Sequence, residues 1–374
     1  MDLNLTADQR LFRSTTQNFL AKTASIPQVR ELADGPEGFA RDWWQQGAEL
    51  GWTAMLVPEH LGGGTISGSG LADLSIVAEE LGRTCAPGPL ATTSAVLTGL
   101  VASDSTEQIE GILAGEVVAV WAVYEPQQGW DPTTPGTRAD RTATGFRLTG
   151  TKQRVESGDQ ADLFLVTAST DDGPTQLLVP ADHPGVTVTP TRGLDLIRRF
   201  AEVRFDEVEL SADAVVGAVG GAAAVIERQL EVAATLHTAE MVGATDKTFE
   251  FTLQWAFDRY TFGRPLASYQ ALKHRFADSR TWLEACHATA TAAAKAVDAG
   301  DRRAAELVSV AKSYVGSKAP VIIQDCVQLH GGIGVTWEHD LHLYLRRVAV
   351  DRALYGTPEE HRRRITGLLE RNAA

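Results

Sequence analysis

Cysteine, methionine and positive charge are all scarce in this chain. Its three cysteines among 374 residues, Cys85, Cys286 and Cys326, are odd in number and far apart. That spacing excludes a disulfide framework and a cysteine-based metal site, and it fits a reducing cytoplasm. Lysine and arginine number 34 against 48 aspartates and glutamates, a formal charge of −14. A chain of that sign repels nucleic acid and anionic membranes, so neither is expected as a partner. No apolar run approaches the ~20 residues that span a bilayer. The opening MDLNLTADQRLFRS is polar and does not read as a signal peptide. Repeats and low-complexity tracts are absent as well.

The chain is too long for one compact core. From about Ala7 to Gln108 it reads as helical. Leu11, Phe12, Phe19 and Leu20 recur at helical spacing behind Thr6, an N-cap residue type. Phe39 to Leu50 forms a second amphipathic piece, Gly62-Gly63-Gly64 interrupts, and Leu71 to Leu81 resumes the helical pattern. After Gly115 the texture changes. Val117 to Val123, Phe146 to Thr149, Leu163 to Val166, Gln176 to Val179 and Val186 to Val188 are short apolar or β-branched runs, and Ala201 to Leu210 alternates with period two. From about Gly221 three long helical stretches follow, ending near Arg259, Asp298 and Leu329. Such segregated runs predict an α+β, mainly α, architecture: an N-terminal helical domain over 1–115, a middle β-domain over 116–215 and a C-terminal helical bundle over 216–374.

Two stretches in the last third hold residue types suited to an anionic ligand. Gln328-Leu329-His330-Gly331-Gly332-Ile333-Gly334 follows a long helix. Its glycine pair reads, on its own, as a helix C-cap and turn. The alternative is a backbone brought close to an anion, where any side chain would obstruct, with Gln328 offering its amide. No strand precedes it, so it is not the dinucleotide fingerprint, and His330 reads as a packed helix-end residue. Arg259-Tyr260-Thr261-Phe262-Gly263-Arg264-Pro265 reads as a helix stop or as a guanidinium fork for a pyrophosphate.

The order and spacing of these motifs, with Gln270-Ala271-Leu272-Lys273 between them, resemble the flavin-gripping half of the acyl-CoA dehydrogenase family. Val57 to Gly63, Ala78 to Gly82 and Thr336 to His342 extend the resemblance over the whole chain. It implies a helical N-terminal domain, a middle β-domain and a C-terminal four-helix bundle. It implies FAD as cofactor, held by Arg259, Phe262, Gln270, Gln328, Gly331 and Gly332. Tyr124-Glu125-Pro126 through Gly129-Trp130-Asp131 stands where the family has a flavin-lining loop, and Gly150 to Gly158 where a Trp-Ile-Thr segment packs on the flavin ring. Glu125, Pro126, Gly129, Asp131, Gly150, Lys152 and Gly158 match there; Tyr124, Trp130, Arg154 and Glu156 do not. Both stretches read equally well as plain β-domain turns.

The activity implied is removal of two hydrogens from an acyl-CoA, with a carboxylate taking the α-proton. The family's C-terminal base position falls on Tyr355, and its alternative on Ala233. A phenol, protonated at neutral pH, is a poor acceptor, and a methyl group is none. Glu231, two residues away, points about 200° around the helix and reads as a surface or interface charge. Glu240 also lies nearby in sequence, and Asp351 and Glu338 are weaker alternatives. The family builds each flavin site from two subunits, so the resemblance further implies a homo- or heterotetramer with a homologous subunit. Intact elements for a neighbour's flavin beside altered ones for its own are the pattern of the non-catalytic subunit in bacterial mixed tetramers that act on bulky, sterol-derived acyl-CoAs.

Overall fold

The computed structural model describes residues 5–35, 38–126 and 131–373. Six helices come first: α1 (Ala7–Thr23), α2 (Ile26–Asp34), α3 (Arg41–Glu49), α4 (Gly70–Thr84), α5 (Leu90–Ala102) and α6 (Ile109–Leu113). Eight strands follow: β1 (Ala119–Ala122), β2 (Arg138–Arg141), β3 (Gly145–Glu156), β4 (Leu163–Thr170), β5 (Gly173–Pro180), β6 (Val186–Thr191), β7 (Phe200–Ser211) and β8 (Val215–Val216). Then come α7 (Ala223–Asp258), a small hairpin of β9 (Tyr260–Thr261) and β10 (Arg264–Pro265), α8 (Gln270–Asp298), α9 (Ala304–His330), α10 (Leu341–Ala353) and α11 (Pro358–Ala373). The expected order of helices, sheet and helical bundle is present. The chain divides into two compact units, one of Met1–Glu31, Leu71–Ala86 and Ala234–Ala374, the other of Leu32–Gly70 and Pro87–Ala233.

In the first, helical unit, Thr6 caps α1 in a capping box: its hydroxyl accepts from Gln9 N at 3.1 Å while Gln9 Oε1 accepts from Thr6 N at 2.9 Å. Phe12 and Leu20 face inward, but Leu11 is two-thirds exposed, so the apolar stripe is narrower than the sequence pattern. Helices α4 and α7 cross in backbone contact. A Cβ on Gly82 would overlap the Glu240 carbonyl, and one on Gly243 the Glu79 carbonyl. Pro320 lies inside α9 and leaves Gly316 O without its helical donor. Arg352 Nε supplies that bond at 3.1 Å. Phe249, Phe276, Leu283, Ile322 and Leu341 form a buried core between these helices.

In the second unit the sheet runs β6-β7-β3-β2-β4-β5-β8, with β1 parallel to β4. β7 alternates as expected until Glu207, whose positive φ shifts the register against β3. That bulge lets Val208 and Leu210 return to the buried face. β2 was not legible: of Arg138-Ala139-Asp140-Arg141 only Ala139 is buried, and pairing to β3 holds the strand. A buried amide chain from Gln176 through Gln229 to Ala95 O links β5, the start of α7 and α5. Phe39, Trp43, Trp44 and Trp52 pack edge to face around α3. Among the described residues no helix is long and apolar enough to cross a membrane.

Candidate active site

The C-terminal motifs meet on one surface of the helical unit. Arg259, just past the end of α7, is exposed, and its guanidinium lies 5.8 Å from the centre of the Trp255 ring one turn earlier. Trp255 stacks on His330 with centroids 5.3 Å and planes 17° apart. His330 is buried at the end of α9, where its Nδ1 donates to the Cys326 carbonyl at 2.9 Å. Burial lowers its pKa, with His339 lowering it further, so the ring is neutral at neutral pH.

Gly331 follows at φ +67° and ψ −141°, a conformation that side chains disfavour. Gly332 has no such constraint. Its φ is not in the left-handed region, and a Cβ there would meet nothing within 4 Å. The chain's own packing does not call for glycine at 332; the approach of something outside the chain would. Gln328 and Gln270 are exposed, and Phe262, at the tip of the hairpin with φ +50°, is 100% exposed.

Tyr355 lies inside the helical unit. It is buried, with φ +53°, and its ring stacks on His237 with centroids 5.3 Å apart. Around it is a charged cluster: His237 Nδ1 is 3.2 Å from Asp351 Oδ1, Arg347 donates to Glu240 at 2.5 Å, and Lys312 donates to the Asp351 carbonyl. His361 Nε2 donates to Tyr355 O at 2.9 Å. His237, Glu240 and Asp351 have the spacing of a metal site, with ligand atoms within 4.8 Å of one another. Arg347 already supplies that cluster with a cation, while Lys312, whose pKa burial lowers well below the usual lysine value, donates to the Asp351 carbonyl. Glu240 and Asp351 are thus engaged, and Glu338 is exposed. In the sheet unit Ala233 is fully buried, and Glu231 pairs with Arg228 at 3.5 Å.

In the stretches of the sheet unit expected to line the flavin, the two glutamates are internally paired. Glu125 accepts from Gly136 N at 2.6 Å, Thr137 N at 2.9 Å and Lys152 Nζ at 2.5 Å. Burial pushes Lys152 down to about 8 against the pull of Glu125, so at neutral pH both are charged. Arg154, at φ +53°, lies 4.5 Å over the Tyr124 ring. Glu156 is buried in an ion pair with Arg198, whose backbone N–H donates to Asp195. Gly158 is needed for packing, since a Cβ there would press on Ala201 and Val155 at 3.1 Å. Asp131 accepts from the Thr133 N–H and hydroxyl. Gly129 and Trp130 lie outside the described residues.

Profiles of the acyl-CoA dehydrogenase N-terminal, middle and C-terminal domains match residues 6–115, 121–208 and 220–368. The chain belongs to the acyl-CoA dehydrogenase family. It is 32% identical to acyl-CoA dehydrogenase IpdE2 of Mycobacterium tuberculosis over 96% of each chain. Among solved structures it is similar to the Tcur3481-Tcur3483 steroid ACAD, at 26% identity, TM-score 0.87 and 98% of both chains. It also resembles a glutaryl-CoA dehydrogenase from Mycobacterium smegmatis in complex with FADH2, at 24% identity and TM-score 0.89 over 99% of this chain and 96% of that one, a likeness of fold.

The protein is accordingly an oxidoreductase acting on a carbon–carbon bond of an acyl-CoA, with FAD as cofactor. The helical unit fits the diphosphate end of FAD: Arg259 is an exposed fork donor, and Gly332 leaves its backbone open. Sequence reasoning missed Trp255 and the His237–Asp351–Lys312–Arg347 cluster. Trp255, one turn before Arg259, had a usable local signal. His237 and Asp351 are 114 residues apart and had none.

Proposed function

We propose that this chain is one subunit of a hetero-oligomeric acyl-CoA dehydrogenase acting on a bulky, sterol-derived acyl-CoA in the cytoplasm. Its helical unit completes the FAD site of a homologous, glutamate-bearing subunit. One contrast carries the reading. Arg259, Phe262, Gln270, Gln328, Gly331 and Gly332 stand exposed, whereas Glu125 and Glu156 in the sheet unit are buried and bound to partners of their own. The apolar side chains of Tyr260, Phe262, Val335 and Trp337 are exposed in the same motif segments, the composition of a surface that another subunit covers. The steroid neighbour, whose name joins Tcur3481 and Tcur3483, supports both the substrate class and the pairing.

The flavin, when bound, takes up the β-hydrogen with its electron pair. Arg259 would hold the diphosphate by charge-assisted bonds, with the Gly331–Gly332 backbone open to its approach. Tyr355 and Ala233 hold no carboxylate, so the α-proton passes to a glutamate of the other subunit.

The test is to purify the chain alone and together with its homologous partner and to measure flavin per subunit. Alone it should bind FAD weakly or substoichiometrically. In the mixed complex Arg259→Ala should weaken FAD retention by roughly 1.5–3 kcal/mol although the base lies on the other chain. Full, tight FAD occupancy of the purified homo-oligomer, or unchanged retention in the Arg259 variant, overturns the reading.

A further inference from the structure

Arg259 and the Gly331–Gly332 turn are separated by more than seventy residues, yet one ladder of rings joins them. The Arg259 guanidinium lies over Trp255 at 5.8 Å, Trp255 stacks on His330 at 5.3 Å, and His330 meets the edge of His339 at 4.6 Å. His330 is the residue before Gly331, and its Nδ1 bond to Cys326 O fixes the ring at the end of α9. Phe251, one turn before Trp255, packs on both His330 and His339. Trp255 Nε1 is buried with no hydrogen-bond partner among the described residues. No direct bond fixes that indole; its plane is set by the stack on His330.

We propose that Trp255 and His330 are positioning residues that hold the Arg259 guanidinium and the Gly331–Gly332 backbone as one preorganised cradle for the FAD diphosphate. This rests on the reading that the exposed helical face grips FAD. Arg259 is a long exposed side chain, and fixing it before binding removes rotamer freedom that would otherwise be lost on binding. A guanidinium over an indole face keeps its N–H edges free to point outward, so the stack orients the fork without using up its donors.

The chain, assembled with its homologous partner subunit, is titrated with FAD and, separately, with ADP, which carries the diphosphate without the flavin ring. Arg259→Ala should weaken both about tenfold or more. Trp255→Leu and His330→Ala should each weaken both by roughly three- to fivefold, and His330→Phe, which keeps a ring but not the bond to Cys326, should stay within about twofold. The deciding measurement is the double variant. If Trp255 acts through the cradle, Trp255→Leu placed on Arg259→Ala adds clearly less than it costs alone, since only the share through the Gly331–Gly332 turn remains, whereas a general loss of folding adds its full effect.

Thermal midpoints are recorded for every variant. A variant that fails to fold is replaced by Trp255→Phe in the same cycle, which should lie between wild type and Trp255→Leu. Additive losses, or unchanged affinity in Trp255→Leu while Arg259→Ala is impaired, overturn this inference alone. Unchanged affinity in Arg259→Ala, or no binding of either probe by the unsubstituted complex, overturns it together with the reading beneath it.

Discussion

The Arg259–Gly332 face of the helical unit and the Tyr124–Gly158 stretch of the sheet unit correspond to the two halves of one family motif set, and their physical states are opposite. On the first, polar groups point outward and Gly332 is a glycine that the chain's own packing does not require. In the second, Glu125 is buried against Lys152, and Glu156 against Arg198, which stands just before β7. A buried ion pair needs its own partner, because taking a charge out of water is expensive unless the partner is close. Glu125 and Glu156 are thus committed to partners inside the fold rather than to a ligand. The difference separates residues kept for folding from residues left for binding, although both were singled out by the same resemblance.

Substitution of Lys152 should break the comparison most severely. Lys152→Met leaves Glu125 buried with two backbone donors but no cation, at a cost of about 3–5 kcal/mol. The urea midpoint should fall accordingly. A midpoint unchanged within error would mean that the sheet segment is not held by this pair and remains available to a ligand.

The next effect is a pH dependence inside the helical unit. Burial, with Lys312 adding to it, pushes His361 down to about 3. In the unfolded chain the imidazole gains a proton below about 6.5. Between those two values the unfolded state binds more protons, so stability falls as pH falls, by about 1.4 kcal/mol per pH unit from this group. Glu80, raised to about 7 by burial, works with the opposite sign between its unfolded value of 4.5 and 7. The measurement is therefore the difference between wild type and His361→Gln over about pH 6 to 4. Parallel stability curves for the two proteins would show that His361 is protonated in the fold.

Gly332→Ala probes the open face from the other side. With nothing within 4 Å of the added methyl and an ordinary φ, stability should stay within about 0.5 kcal/mol. FAD retention by the assembled complex should fall roughly tenfold, because the methyl stands where the diphosphate approaches. Equal retention would leave Gly332 as a plain turn residue.

The contrast between the two regions also explains what was legible in the sequence. The long helices, the period-two strand β7 and the capping box at Thr6 follow from local patterns, and all three are present. β2 escaped because its exposed arginines and single aspartate leave only Ala139 as an apolar residue; pairing with β3 makes it a strand. On the site, Arg259 and the glycine pair were visible because each is a short motif at an element end. The Trp255–His330 stack that joins them was not, since it depends on how α7 and α9 pack. The cluster of His237, Glu240, Asp351, Lys312 and Arg347 draws on α7, α9 and α10, and no spacing in the chain announces it.

Tyr355 tests the boundary between the two kinds of residue, since it stands at the family's base position yet lies inside the helical unit. Its ring stacks on His237, and its backbone carbonyl accepts from His361, so the side chain is placed by packing on one face and the main chain by a buried bond. Phenylalanine keeps the ring, the stacking and the same bulk, and removes only the hydroxyl. If the α-proton leaves through the partner's glutamate, Tyr355→Phe should leave turnover of the assembled complex nearly unchanged, with flavin content and thermal midpoint as controls. A general base removed from its reaction lowers the rate by a hundredfold or more. A loss of that size in a folded, flavin-replete complex would make the phenol oxygen a participant, give this subunit chemistry of its own, and move Tyr355 from the residues that shape the fold to those that act on the substrate.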